Sequence, residues 1–421
     1  MKTIAITAAA PARAAAVHAR WRPGRLWAAP HRLAFAAGTL MLMAASTWWA
    51  LTLLARARGW GLPQALPPST VHALVMGFGF MPLFFAGFLF TAGPRWLGLP
   101  PVPARALRAG VQAQLAGWAL LLLAGLAAHP LLARLLGAFG VAAAAAGWGR
   151  LVLRFGALVV ASRATDKQHA SLIFVAGALG AALMAMAAGL LATGRLDLVH
   201  ETARVGLWAF AGVTYVVVAH RMIPFFTASA LPFLDAWRPG WLLAVLVGVC
   251  AFEGFAAWAP VPALLQTGVE AAAAALLLGL ALRWGLVQSL RIRLLAMLHL
   301  GFLWLGLALA LQAADQGLAL IGGPSLGLAP LHAFTMGFLG STLVAMVTRV
   351  SAGHGGRALA VDTAAWWLFW LLQAAVLGRI MADLVGWPVW LPALAWAAAL
   401  LPWGARHLVW YGRPRIDGQP G

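Results

Sequence analysis

The heptad His72-Ala-Leu-Val-Met-Gly-Phe78 returns as His332-Ala-Phe-Thr-Met-Gly-Phe338, with five of seven residues identical 260 positions apart, and each copy opens a long apolar run. An imidazole inside a bilayer is costly unless it has a partner or a job. A duplicated one therefore marks His72 and His332 as a candidate ligand pair for haem or copper. Met76 and Met336 stand four residues on, one helical turn below each histidine, where a thioether beside imidazole suits Cu(I) and where methionine also packs as ordinary core. Gly77, Gly79, Gly87, Gly337 and Gly340 lie along the same two runs. They leave room either for a flat macrocycle or for the close approach of another helix.

A second set of histidines and arginines belongs to other spans. His299 lies inside the apolar run Met-Leu-His-Leu-Gly-Phe-Leu-Trp; His220-Arg221 ends another run; and Arg349-Val-Ser-Ala-Gly-His354-Gly-Gly-Arg357 leaves the one that His332 opens. His299, His354 and His220 form a candidate second metal set. Arg221, Arg349 and Arg357 have the bidentate guanidinium geometry that grips carboxylates such as haem propionates, and they are equally the basic residues that any membrane protein keeps at one face. Glu253, Glu270 and Asp383 are the membrane carboxylates, with Arg379 spaced four residues before Asp383 for an ion pair on one helix. His18, His31, His129, His169 and His407 fall at span ends or in tails and need no special role. The one cysteine, Cys250, excludes an intrachain disulfide or a thiolate cluster from this chain alone.

The elements that carry these residues follow from composition. A chain of 421 residues with 63% hydrophobic and 9% charged residues is far too apolar for a soluble fold. It predicts an all-α polytopic membrane helix bundle. Runs long enough to span the hydrocarbon core begin near Leu33, Thr70, Leu107, Leu131, Gln168, Thr202, Trp241, Val261, Ile292, Ala329, Ala364 and Val389, twelve in all. Residues 1–32 read as a basic tail without a removable signal peptide, 33–412 as the membrane domain and 413–421 as a C-terminal tail. With both termini placed in the cytoplasm, 23 of the 29 Lys and Arg fall on the cytoplasmic side and only Arg56, Arg58, Arg134, Arg195 and Arg204 on the other, as retention of basic residues requires. The formal charge of +19 is thus an insertion and lipid-surface signal, and nucleic acid is not an expected partner.

His72 and His332 open the second and tenth spans, which run in the same direction and put both imidazoles at one depth. Four helices to a repeat gives three four-helix units. At the corresponding place in the middle unit stands His200-Glu-Thr-Ala-Arg204, too altered to count as a third copy.

Together, His72-Ala-Leu-Val-Met76, Gly87-Phe-Leu-Phe-Thr-Ala-Gly-Pro-Arg-Trp-Leu-Gly98, Arg221-Met-Ile-Pro-Phe-Phe-Thr227, Leu298-His-Leu-Gly-Phe-Leu-Trp304 and Leu331 through Arg357 resemble the NnrS family over most of the chain. The tenth span and its following loop are the most specific part. The resemblance implies a twelve-helix protein of the bacterial inner membrane that contains haem and copper and is linked to nitrogen-oxide metabolism and relief of nitric oxide stress. Its matching histidines here are His72, His299, His332 and His354. Two departures stand out: the family's first motif commonly reads His-x-His-Glu-Met where this chain has Leu74 and Val75, and His220 occupies a place where glycine is common. The catalytic subunit of haem-copper oxidases offers a geometric parallel only, since this chain lacks that subunit's paired histidines on a seventh helix. Bis-histidine ligation would favour electron transfer with a membrane redox partner, and an open axial position would favour a diatomic ligand such as nitric oxide. A secondary transporter with an internal repeat and an assembly factor for respiratory complexes are the rival readings.

Overall fold

The computed structural model describes residues 20–419, which fold entirely as helices and connecting loops. Twelve long helices account for the expected spans: α1 (Pro30–Ala57), α2 (Pro68–Trp96), α3 (Ala104–Ala124), α4 (Pro130–Ala161), α5 (Gln168–Thr193), α6 (Leu196–Ala230), α7 (Gly240–Ala256), α8 (Ala263–Arg283), α9 (Arg293–Leu320), α10 (Ala329–His354), α11 (Thr363–Val385) and α12 (Trp390–Tyr411). Ten are long and apolar enough to cross a membrane. The other two are α7, with 17 residues, and α12, whose tryptophans, prolines and Arg406-His407 pair dilute its apolar run. Proline opens α1, α2 and α4, where its missing N–H would have had no helical partner and its fixed φ suits the first turn.

Most neighbours in sequence pack as neighbours in space, and the chain closes on itself where α12 packs along α1. Helices one and two of each unit pair (α1–α2, α5–α6, α9–α10), and the units join through α4–α5, α8–α9 and α12–α1. This is the ring of three four-helix units expected from the repeat. More of α2, α6 and α10 is buried than of any other long apolar span, so the second helix of each unit forms the inner ring. Each of these three helices also widens into π-helical turns, at Val75–Gly79, Gly206–Gly212 and Ala333–Gly340. Such turns are rare and cluster at functional sites. Pro82 follows the first of them, but the other two form without a proline.

The largest shift from the sequence expectation is at α6, which begins at Leu196 rather than near Thr202. Its first turns carry Asp197, His200, Glu201 and Arg204, polar residues that end an apolar run without ending a helix. The helix therefore includes His200, in the same opening position that His72 and His332 hold in α2 and α10.

Residues 20 and 419, the two ends of the described chain, lie at one face of the bundle, called here the terminal face; the other is the distal face. Of the basic tail expected over 1–32, residues 1–19 lie outside the described residues, His18 among them. The rest packs on the bundle: the Arg22 N–H donates to Gly412 O at 2.9 Å, Trp21 Nε1 to Leu408 O at 3.0 Å, and Arg32 Nη1 to Tyr411 O and Arg413 O at 3.1 and 2.7 Å. After α12 the chain returns to the end of α10, where the Ile416 N–H donates to Gly355 O at 3.1 Å. There Arg415 pairs with Asp417 and holds its carboxyl down to about 2, below the usual carboxylate range.

Candidate functional site

The inner ring carries a group of three imidazoles at the distal face. His72 lies flat against Trp49 of α1, ring centres 4.0 Å apart and planes 24° from parallel. Its Nδ1 is buried without a hydrogen-bond partner. The ionisable groups whose charge reaches His72 are His332, Arg379 and His200, and those around His332 include Arg379 and Asp383. His332 and His200 thus lie within electrostatic range of His72 at the same end of the inner ring.

His332 and His200 are held alike. His332 Nδ1 lies 2.9 Å from Leu328 O, and His200 Nδ1 lies 2.8 Å from Leu196 O, each one turn back on its own helix. A carbonyl oxygen only accepts, so each Nδ1 carries the proton and the neutral ring keeps its lone pair on Nε2. A backbone carbonyl on one ring nitrogen is the usual means of orienting a metal-ligating imidazole by the other. The Arg379–Asp383 ion pair forms as its spacing predicts, at 2.8 Å on α11. The structure adds that this pair borders the histidines rather than standing apart.

Below the histidines the inner helices are joined by aromatic rings. Trp208 of α6 stacks on Phe334 of α10 at 3.6 Å, Phe78 of α2 stacks on Phe210 of α6 at 6.4 Å, and Phe85 and Phe338 meet Tyr215 edge-on at 5.5 and 5.7 Å. Several of the glycines noted in the sequence seat such rings: a Cβ at Gly337 would meet Trp304 at 2.7 Å, one at Gly340 would meet Trp396 at 2.6 Å, and Gly87 faces Phe35. Space that a macrocycle or a helix might have claimed at these positions is filled by aromatic side chains.

The second histidine set is distributed over the terminal half as separate pairs. His299 Nε2 lies 2.8 Å from Thr227 Oγ1, whose single proton is already donated to Ile223 O at 2.9 Å. His299 must therefore donate from Nε2, leaving Nδ1 as a bare lone pair that is buried without a partner. His220 pairs with His169: His220 Nε2 donates to Pro239 O at 3.1 Å, so its Nδ1 accepts from His169 Nε2 at 3.0 Å. His354 packs against His31 with ring centres 4.5 Å apart and planes tilted by 33°. His31 and His169, assigned no role from their positions near span ends, are each more than nine-tenths buried. Nothing in their flanking residues signals these partners, which come from α10 and α6.

The arginines offered for carboxylate binding all reach the terminal face, but each covers its own aromatic ring. Arg221 sits 4.7 Å from the Trp96 ring centre, Arg349 3.8 Å from that of Phe226 and Arg357 4.4 Å from that of Trp410. The basic groups around His354 are instead Arg95, Arg415 and Arg32. Glu253 and Glu270 are buried near each other on α7 and α8, away from the histidines, and Glu270 Oε1 accepts from Gln266 at 2.7 Å. Among the described residues, no three His, Cys, Asp or Glu side chains stand close enough to hold a bare metal ion.

No curated protein matches the chain. The family described as NnrS protein matches residues 25–415, from ahead of α1 to beyond the end of α12. With the ring of twelve helices and its repeated inner histidines lying within that match, the chain belongs to the NnrS family.

Proposed function

We propose that this chain is a haem- and copper-binding protein of the bacterial inner membrane that acts in nitrogen-oxide metabolism or in relief of nitric oxide stress. The observation that carries the reading is that the two repeated histidines stand at the same end of the inner ring, with His332 in electrostatic range of His72. The donor chemistry fits the group: His332 offers an Nε2 lone pair oriented by a backbone carbonyl, and His72 has a buried ring nitrogen with no partner. His72 and His332 are the ligands of first choice, with His200 as a third imidazole beside them. Of the histidines expected to form a second metal set, His299 keeps a bare Nδ1, His354 sits beside His31, and His220 has both ring nitrogens engaged by Pro239 and His169, so the three are separate candidate donors rather than one site. Arg221, Arg349 and Arg357, expected from the sequence to grip propionates, lie at the opposite face and each covers its own aromatic ring, so they do not serve a haem held by His72 and His332. Bound haem supplies an iron that exchanges an electron with a membrane redox partner or takes a diatomic ligand such as nitric oxide.

The terminal face is the cytoplasmic one in this reading, because it holds most of the basic residues while the distal loops hold few. Absorption spectra of the purified protein, oxidised and reduced and with nitric oxide added, together with metal analysis, test the proposal. A Soret band that is lost in His72→Ala or His332→Ala is expected. A colourless, metal-free preparation from haem-replete cells overturns it and turns attention to a secondary transporter, the reading that matched interruptions in three repeated helices would favour.

A further inference from the structure

Glu253 and Glu270 are buried where no cation meets them. Glu253 stands on the inward stripe of α7 with Leu242, Leu246 and Cys250, and that stripe packs on α6 at its π turns: a Cβ at Gly254 would meet Ala209 Cβ at 3.0 Å, and one at Gly212 would meet Cys250 Sγ at 3.4 Å. Glu270 stands on the inward stripe of α8 with Ala273, Ala274 and Leu277. The two residues are only 3% and 0% exposed, although each falls within about two turns of the distal end of its helix. Glu253 Oε1 is buried without a partner; Glu270 accepts from Gln266 Nε2 at 2.7 Å through Oε1, while its Oε2 is buried without one. The ionisable groups in electrostatic range are themselves acids, Glu270 and Cys250 for Glu253 and Asp315 of α9 for Glu270. Among the described residues neither glutamate joins an ion pair.

A carboxylate buried in a membrane protein without a counter-charge is too costly to persist and takes up a proton instead. Two within range of each other raise that cost further. A metal ion would relieve both, but no three His, Cys, Asp or Glu side chains among the described residues stand close enough together to hold one. A proton needs neither space nor further ligands. We propose that Glu253 and Glu270 form a proton-binding pair that exchanges with water at the distal face. Hydrogen bonding divides the roles between them. The Gln266 amide donates to Glu270, and an N–H donor suits a carboxylate; Glu253 Oε1 has no such donor, and Glu253 keeps the proton. Gln266 is partly exposed one turn into α8, and Asp315 is partly exposed near the end of α9. Glu270 therefore has a polar link to the distal water through which the proton passes. The transfer balances within the pair: the Glu253 O–H bond breaks as an O–H bond forms on Glu270, whose proton then leaves to water.

Infrared spectra of the full chain in lipid, together with labelling by dicyclohexylcarbodiimide, which attacks protonated carboxyls in apolar surroundings, test the pair. At neutral pH the wild type should show a protonated-carboxyl C=O component that is lost in Glu253→Gln, and its peptides should carry the carbodiimide adduct on Glu253. Glu270→Gln should keep that component but slow its shift on transfer into heavy water. A wild-type chain without label on Glu253 overturns the inference even where Glu253→Gln fails to fold, and so does a wild-type spectrum with no component that Glu253→Gln removes. A Glu270→Gln chain that exchanges as fast as the wild type overturns the pairing of the two residues. Neither measurement reads a metal, so this site and the proposed function fail separately: a haem-free chain that takes the label removes only the proposed function, and a haem-loaded chain that does not take it removes only this site.

Discussion

In the α3–α4 hairpin, Gly110 and Gly117 on one helix face Gly147 and Gly140 on the other. A Cβ at Gly110 would meet Gly147 O at 2.8 Å, one at Gly147 would meet Gly110 O at 2.7 Å, and one at Gly140 would meet Gly117 O at 2.5 Å. These glycines let two backbones touch, the common way to join helices where lipid is as apolar as any side chain. The glycines of the inner ring admit aromatic side chains instead, and there the backbone widens into π turns that keep histidines at the centre. The hairpin has spent its small residues on contact, whereas the ring has spent them on shaping an interior. Tight backbone contact tolerates no added atom and carries no chemistry; a ring of side chains can lose a member and still fold.

Substitutions should separate the two regions, the hairpin giving the largest effect. Gly117→Leu drives a side chain into the Gly140 carbonyl and to within 2.7 Å of Ala144 N at its first carbon, where rigid backbone cannot yield. A loss above about 3 kcal/mol, beyond the usual cost of overpacking, is expected as a collapse of folded yield and unfolding temperature in detergent. Full yield of Gly117→Leu would break the contrast. His72→Ala and His332→Ala should fold normally but lose bound haem by more than the roughly 10–100-fold that outer partners of metal ligands contribute, read as Soret absorbance per protein. His200→Ala should also fold and should weaken metal retention by on the order of tenfold, measured by competition with a chelator; a variant with unchanged retention removes His200 from the group.

The smallest effect is expected at the terminal face, outside the spans. Asp362 caps α11 by accepting from Ala365 N at 2.9 Å, and it pairs with Arg406 at 2.6 Å. The hydrogen bond from Arg406 is the chief cause holding its carboxyl below the ordinary 3.8. A carboxyl held low stabilises the fold above its ordinary value and loses that contribution as the pH falls through the lowered one. Asp362→Asn keeps the capping oxygen and removes the charge. Because both partners are substantially exposed, a deficit of only a few tenths of a kcal/mol is expected at neutral pH, disappearing in melts recorded below the ordinary aspartate range. A deficit that persists in acid would assign the effect to the cap rather than the charge.

The site was legible where it repeated. His72 and His332 stand out because the same heptad opens two apolar runs, and their common depth follows from the odd number of spans between α2 and α10, which leaves both helices running the same way. His200 is visible at the corresponding place in the middle unit but does not count as a third copy, because Glu201 and Arg204 alter the motif and, with Asp197, break the apolar run, so the span seemed to start after it. His31 and His169 were passed over because a histidine near a span end resembles an interfacial residue. Their burial depends on α10 and α6, whose positions no local feature records.

The sequence alone determined that the chain is a membrane helix bundle and where its long apolar helices run, because run length is read along one chain against one bilayer. The tertiary structure decided which way each helix turns, and hence the pairing of His31 with His354, of His169 with His220 and of His299 with Thr227. In a soluble helix the polar face would have announced that rotation. Here lipid and protein interior are equally apolar, so the inward face has no hydropathic mark and is fixed only by how the twelve helices fit together.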